Sequence, residues 1–211
     1  MKTAVRKKAP PRPYHHGNLR QALVEACADI AAEEGAESVS VRQVARRVGV
    51  SSAAPFRHFA SRTALMTAVA EEAMRRFVLE IERRMNRAAK ASPRERLRAL
   101  AHALFYWALR NPVHFKILSA RDLIEIESSV ALQRDIRAAR MLAVRLISDV
   151  KLGPTAAAAG IDSIALMARA LVYGLARMNV DGQMPQWEIS EKDAEKISLQ
   201  CVDVFLALLE K

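Results

Sequence analysis

The residues best suited to chemistry lie between positions 41 and 62, in the run Val41-Arg-Gln-Val-Ala-Arg-Arg-Val-Gly-Val-Ser-Ser-Ala-Ala-Pro-Phe-Arg-His-Phe59 followed by Ser61 and Arg62. The chemistry they suit is contact with a polyanion, not bond making. Ser51 and Ser52 set hydroxyls and backbone N–H groups at a helix start, where the dipole favours a phosphate or a base-edge acceptor. Ala53 and Ala54 are small enough for close approach, and their methyls can meet thymine methyls in a major groove. Arg57 and His58 can reach base edges or phosphates, while Phe59 reads as core. Catalysis has no comparable cluster: there is no GxSxG, Walker A loop, GxGxxG or HExxH, so no catalytic residue is assigned. His102 and His114 flank an aromatic cluster without an acidic residue at ligand spacing, so neither a metal nor a cofactor is expected.

Two short helices joined by a glycine turn must position that run. Asn18 caps a first helix with Gln21 at the capping-box position, and Leu19, Ala22, Leu23, Ala26, Cys27 and Ile30 recur at helical spacing up to Gly35. Ser40 and Gln43 form a second capping box; Val41, Val44, Ala45 and Val48 face inward and leave Arg42, Gln43, Arg46 and Arg47 outside. After Gly49, Ser51 caps a third helix from Ser52 to about Phe59, with Pro55 tolerated near its first turn. Ser61 caps a fourth, 62–88, with Leu65, Val69, Ala73, Phe77 and Ile81 inward. Further helices are expected over 92–110, 112–119, about 122–149, about 155–178 and about 190–209. The fold class is therefore all-α, with about nine helices.

Composition agrees. The chain has 211 residues, 51% of them apolar, with only seven Gly and 5% aromatic residues, enough for a sizeable core but poor in the turn and β-branched clusters of a β protein. Its 33 Lys+Arg against 23 Asp+Glu give a net charge of +10, which points to a polyanionic partner. Residues 1–62 hold 11 Lys+Arg and 5 Asp+Glu, so most of the excess lies in the first third, and Lys2, Arg6, Lys7, Lys8 and Arg12 form a basic arm over 1–13. Cys27 and Cys201 are far apart and fit a reducing cytoplasm. The basic start lacks the apolar stretch of a secretory signal, and no uncharged run approaches the ~18 residues of a membrane span.

The 41–59 run, with a long helix directly behind it, resembles the DNA-binding domain of the tetracycline-repressor (TetR) family of bacterial transcriptional regulators. The opening Tyr14-His-His-Gly-Asn-Leu-Arg20 is similar to one branch of it, and residues 14 to about 75 carry the likeness. The resemblance implies a helix-turn-helix domain over 14–62, a linking fourth helix, and an effector-binding and dimerisation domain over 63–211. By the same resemblance Arg42 and Arg62 hold phosphates, Arg62 standing where a Lys is common, and Phe56 replaces a Tyr whose hydroxyl contacts phosphate. The branch tends to carry Trp and His-Gly on its penultimate helix; Arg169, Tyr173 and Gly174 stand there instead, and only the glycine matches.

For the effector half, Phe77, Phe105, Trp107, Phe115, Met141 and Tyr173 are the candidates to line an apolar cavity. Arg169 is either a snorkelling rim residue or a counter-charge for an acidic effector. The last two helices offer Ile164, Ala168, Leu171, Val172 and Leu175, then Cys201, Val204, Phe205 and Leu208, for a four-helix interface in a homodimer. The expected function is a cytoplasmic, site-specific regulator: a dimeric repressor on a palindromic double-stranded DNA operator, released by a small-molecule effector, with no membrane partner. The alternatives are a non-specific DNA-coating protein and a helical small-molecule enzyme or carrier.

Overall fold

The computed structural model describes residues 18–211; the basic arm and the Tyr14–Gly17 opening lie outside the described residues. Nine α-helices are present among the described residues: α1 (Leu19–Glu34), α2 (Val41–Val48), α3 (Arg62–Arg87), α4 (Pro93–Arg110), α5 (Pro112–Ser119), α6 (Val130–Ser148), α7 (Pro154–Ala159), α8 (Ile161–Val180) and α9 (Glu191–Leu208). Their starts follow local chemistry. The Asn18 side chain accepts from the Gln21 N–H, both halves of the Ser40–Gln43 and Ser92–Glu95 capping boxes form, and Ser61 accepts from the Ala64 N–H at 3.0 Å. Gly49, at φ 82°, ends α2 in the left-handed conformation that spares it the strain of a side chain.

The first part of the core gathers Leu23, Cys27 and Ile30 of α1, Val39, Val44 of α2, Phe59, and Leu65, Met66 and Val69 of α3, all buried. The rest of the same continuous core, its second part, packs α3 to α6 with α8 and α9, and α3 runs through both parts. Burial pushes the Cys27 thiol up to about 12, the nearby Arg62 charge offsetting this only in part, so Cys27 is an inert core group.

Three expected elements differ. The segment after Gly49 is not a helix over 52–59; it is a turn followed by a 3-10 turn, Pro55–Arg57. Pro55 has no N–H to close an α-turn on the Ser51 carbonyl, so the Ala54 N–H takes that oxygen instead, at 3.0 Å. The helix expected from about 122 begins at Val130. The preceding stretch is drawn out along α3, where the buried Thr67 hydroxyl accepts the Glu125 N–H at 2.9 Å, and Ser129 both caps α6 and donates to Glu71 at 2.7 Å. The helix expected over 155–178 is two, α7 and α8, parted at Gly160 with φ 80°.

Thr67 also donates to the Thr63 carbonyl at 2.8 Å, so its one hydroxyl serves two backbone groups. Thr67→Val, which keeps the shape and strands the Glu125 N–H, should cost about 1–2 kcal/mol, read as a fall of a few degrees in the thermal midpoint. An unchanged midpoint would show that water takes over the bond.

Candidate nucleic-acid interface and effector cavity

The 51–58 segment stands on the outside of the first part of the core, with buried Pro55 and Phe59 as its roots. Ser51, Ser52, Ala53, Arg57 and His58 are exposed and Ala54 is half-buried. Phe56 is 55% exposed, a large apolar ring facing water. Arg42 is exposed on the first turn of α2, beside the same face. Arg47 is exposed, as its place on the outer face predicts, and is held there by Glu33 through two bonds of 2.6 and 3.0 Å. Gln43 is half-buried because its side chain turns back on Ser40 and reaches Glu34 at 2.6 Å.

Arg62 is the main correction on this face. Its Nε donates to the Val39 carbonyl at 2.6 Å, and its Nη2 to the carbonyls of Ala36 and Glu37 at 2.8 and 3.0 Å. The chain between α1 and α2 leaves these oxygens without helical partners, and the planar fork satisfies three of them at once. A phosphate role for Arg62 is therefore reduced to whatever its Nη1 can do; its fixed task is to hold the bracing segment to α3.

A cavity of about 550 Å³ lies in the second part of the core, walled by α3, α4, α5, α6, α8 and α9. Of the six residues singled out from sequence, Phe77, Trp107, Phe115 and Tyr173 line it. Phe77 stacks at a tilt on Trp107 at 5.2 Å, and Phe115 on Tyr173 at 5.4 Å. The other two do not. Phe105 is fully buried on a different face of α4, against Tyr106, because positions 105 and 107 of a helix point well apart. Met141 is 61% exposed on the outer side of α6, whose inward residues are Ile136, Ala139 and Ala143. Sequence reasoning missed Arg121 and Arg140, which line the cavity beside Arg169; only the non-local fold brings them there. His102 and His114 are apart from it, and burial holds both imidazoles below their ordinary value. Among the described residues no group of three His, Cys, Asp or Glu could hold a metal.

The face expected to pair with a second copy is also altered. Ile164 and Val172 are buried within this subunit, and Ala168, Leu171 and Leu175 are half-buried, since that stripe of α8 turns toward α4 and the cavity. The exposed apolar side of α8 is instead Leu166 and Met167, at 70% and 55%. On α9, Val204 and Leu208 are exposed while Cys201 and Phe205 are half-buried. An Asn179 to Ser198 bond of 2.9 Å fixes the α8–α9 hairpin, so the start of α8 runs beside the end of α9.

Comparison with known families decides the relationship. A family model described as bacterial regulatory proteins, tetR family, matches residues 23–69, and one described as the tetracyclin repressor-like C-terminal domain matches residues 97–205. This chain belongs to the TetR family. It is thus one of a family of DNA-binding transcription regulators, not of enzymes, and its all-α architecture with an N-terminal helix-turn-helix is the TetR fold. A protein of unknown function from Rhodococcus sp. RHA1 is 29% identical, with a TM-score of 0.74 over 95% of this chain and 100% of that one. The ketosteroid transcriptional regulator KstR2 of Mycobacterium tuberculosis, 17% identical over 93% of this chain and 97% of its own, shares the fold with a TM-score of 0.65. Among curated proteins, the nucleoid occlusion factor SlmA of Vibrio campbellii is 30% identical over 108 residues, 51% of this chain and 54% of that protein. This TetR-family chain therefore spans about half the length of the curated relatives it matches. No helix among the described residues is long and apolar enough to cross a membrane.

The Arg62 bonds generate a test that separates bracing from phosphate contact. Arg62→Met should lower stability by about 2–3 kcal/mol, because three carbonyls lose a charged donor at once. At a temperature where the variant is folded, its DNA affinity should fall less than that of Arg42→Ala. A variant of native stability with lost affinity would return Arg62 to the phosphate role.

Proposed function

We propose that this TetR-family chain is a dimeric repressor that grips a palindromic operator through residues 51–58 and is loosened by a small molecule taken into the C-terminal cavity. The observation that carries the reading is that one helix, α3, serves both ends: Arg62 at its start holds the bracing segment, and Met74, Phe77 and Ile81 farther along it wall the cavity. An occupant that shifts α3 shifts the DNA-binding domain with it. Ser51, Ser52, Ala53, Ala54, Arg57 and His58 are the proposed groove residues, with Arg42 and the open N–H groups of Ser52 and Ala53 as phosphate contacts. Phe56 offers a ring where a hydroxyl would have donated, which suits a thymine methyl or sugar better than a phosphate. We divide the chain functionally at about residue 62, with α3 common to both parts.

Dimerisation is assigned to the exposed edge of the α8–α9 hairpin, with Leu166 and Met167 joining Val204 and Leu208. The likeness to a nucleoid occlusion factor keeps DNA coating as the second reading. Selection of random duplexes at ~150 mM salt separates the two. A palindrome with half-sites about one turn (~34 Å) apart supports the repressor, and binding that vanishes with salt and selects no sequence supports coating.

On a selected site, Arg57→Ala should cost about 1–3 kcal/mol and relax the preference at one position, whereas Arg42→Ala should weaken all sequences alike and lower the salt slope by about 1. Equal losses on selected and scrambled DNA would remove Arg57 from readout. For the interface, the pair Met167→Glu and Leu208→Glu should convert a sedimenting dimer to monomer at micromolar concentration. A persistent dimer would move the interface elsewhere.

A further inference from the structure

We propose that the cavity accepts an amphipathic monoanion, an apolar body carrying one carboxylate-like head, with the head held at the mouth by Arg169 and Arg121. The inference rests on the effector reading above and names the chemical class that the site selects.

Four charged side chains line an otherwise apolar cavity: Arg121, Arg140, Asp162 and Arg169. All four are exposed at its open side, so they form the mouth, while the buried Phe77, Trp107 and Phe115 form the floor. The four are not balanced. Arg140 is spent on Asp162 at 2.8 Å, and Arg169 and Arg121 make no ion pair or hydrogen bond among the described residues. A surface arginine without a partner normally extends into water. Arg169 instead lies against the cavity wall, its guanidinium 5.9 Å from the centre of the Tyr173 ring, which itself packs on Phe115. Partial desolvation against that wall pulls its basicity below the ordinary arginine value; Tyr173 opposes this, and the like charge of Arg121 adds a smaller pull in the same direction. Two uncompensated guanidinium groups beside an apolar hollow are mutually repulsive while it is empty and become strong donors once an anion lies between them.

A second observation lies on the floor. The Trp107 indole Nε1–H is buried and has no acceptor among the described residues, a cost that proteins rarely leave uncompensated. An oxygen on the occupant's body that reaches this donor would relieve it. The volume of about 550 Å³ suits a molecule of small-ligand size.

The test uses matched pairs on the full chain. Decanoate is compared with decanol and methyl decanoate, and 1-naphthylacetate with its methyl ester, by calorimetry and by quenching of tryptophan fluorescence. Each acid should bind at least about tenfold more tightly than its neutral partner, the scale expected of a charge-assisted pair in a partly dry site. Arg169→Met should abolish that preference, measured as the ratio of acid to neutral affinity in the same variant, Arg121→Met should reduce it, and Arg169→Lys should restore part of it. Equal binding of acids and neutral partners, an acid preference that survives Arg169→Met, or no binding of either acid would overturn the inference. Operator release distinguishes it from the reading beneath it. Neutral and acidic ligands that release DNA equally would leave the effector role standing and remove the anion; an Arg169-dependent acid preference with no effect on DNA would do the reverse.

Discussion

A single helix has to be buried along both parts of one continuous core, and the rest of the molecule is arranged around that constraint. The 26 residues of α3 span about 39 Å. Its first half places Leu65, Met66, Val69 and Ala70 against α1 and Phe59; its second half gives Met74, Phe77 and Ile81 to the cavity. A helix so committed at both ends moves as one body, since core packing resists continuous deformation. The polar devices along it agree with that task. Arg62 fastens the bracing segment, Thr67 and Glu71 fasten the start of α6, and Glu72 gathers Arg75 and Arg76 on the solvent side, which holds its carboxyl down to about 2.

What the sequence made legible was whatever depends on neighbours within a turn. The caps at Asn18, Ser40, Ser61 and Ser92 are local, and each forms. The inward stripe of α2 and the burial of Phe59 followed from spacing alone. Where a long-range partner decides, spacing was silent. Nothing near Arg62 in sequence announces that three carbonyls 23 to 26 residues back will occupy it. Ser129 similarly reads as one polar residue in a plausible helix until Glu71, 58 residues earlier, draws it into a cap. The recognition segment departs from its expected helix for a different reason: Pro55 lies near the first turn, where proline is usually tolerated, but it occupies the position whose N–H would have closed the first α-turn.

The α8 face shows how composition can hide register. The helix carries small or apolar residues on nearly every side, so a stripe through Ile164, Ala168 and Val172 and one through Leu166 and Met167 look equally good for a partner. Packing breaks the tie: the first is buried toward α4 and the cavity, while Leu166 stands at the cavity's rim with most of its surface in water and Met167 is exposed beside it. The cavity residues divide on the same principle. Trp107 and Phe105 are two positions apart on one helix and cannot share a face, so an aromatic cluster in sequence becomes a floor and a separate core contact.

Charge at the cavity mouth and position at the DNA-binding end are linked through α3. Arg121 sits at the head of the drawn-out stretch that leads to α6, and that stretch is tied to α3 at Thr67 through the Glu125 N–H. Arg169 and the Arg140–Asp162 pair line the same cavity from α8 and α6, a second lip of its mouth. An anion bridging Arg121 and Arg169 would pull the two lips together, and the pull on the first lip would be delivered to α3 only about a turn and a half from Arg62. A neutral occupant of the same volume could only push on the walls. Coupling in such a device is set by the difference in affinity between its two arrangements, about 1–3 kcal/mol in typical cases, and one newly paired guanidinium in a partly dry mouth supplies interaction of that size.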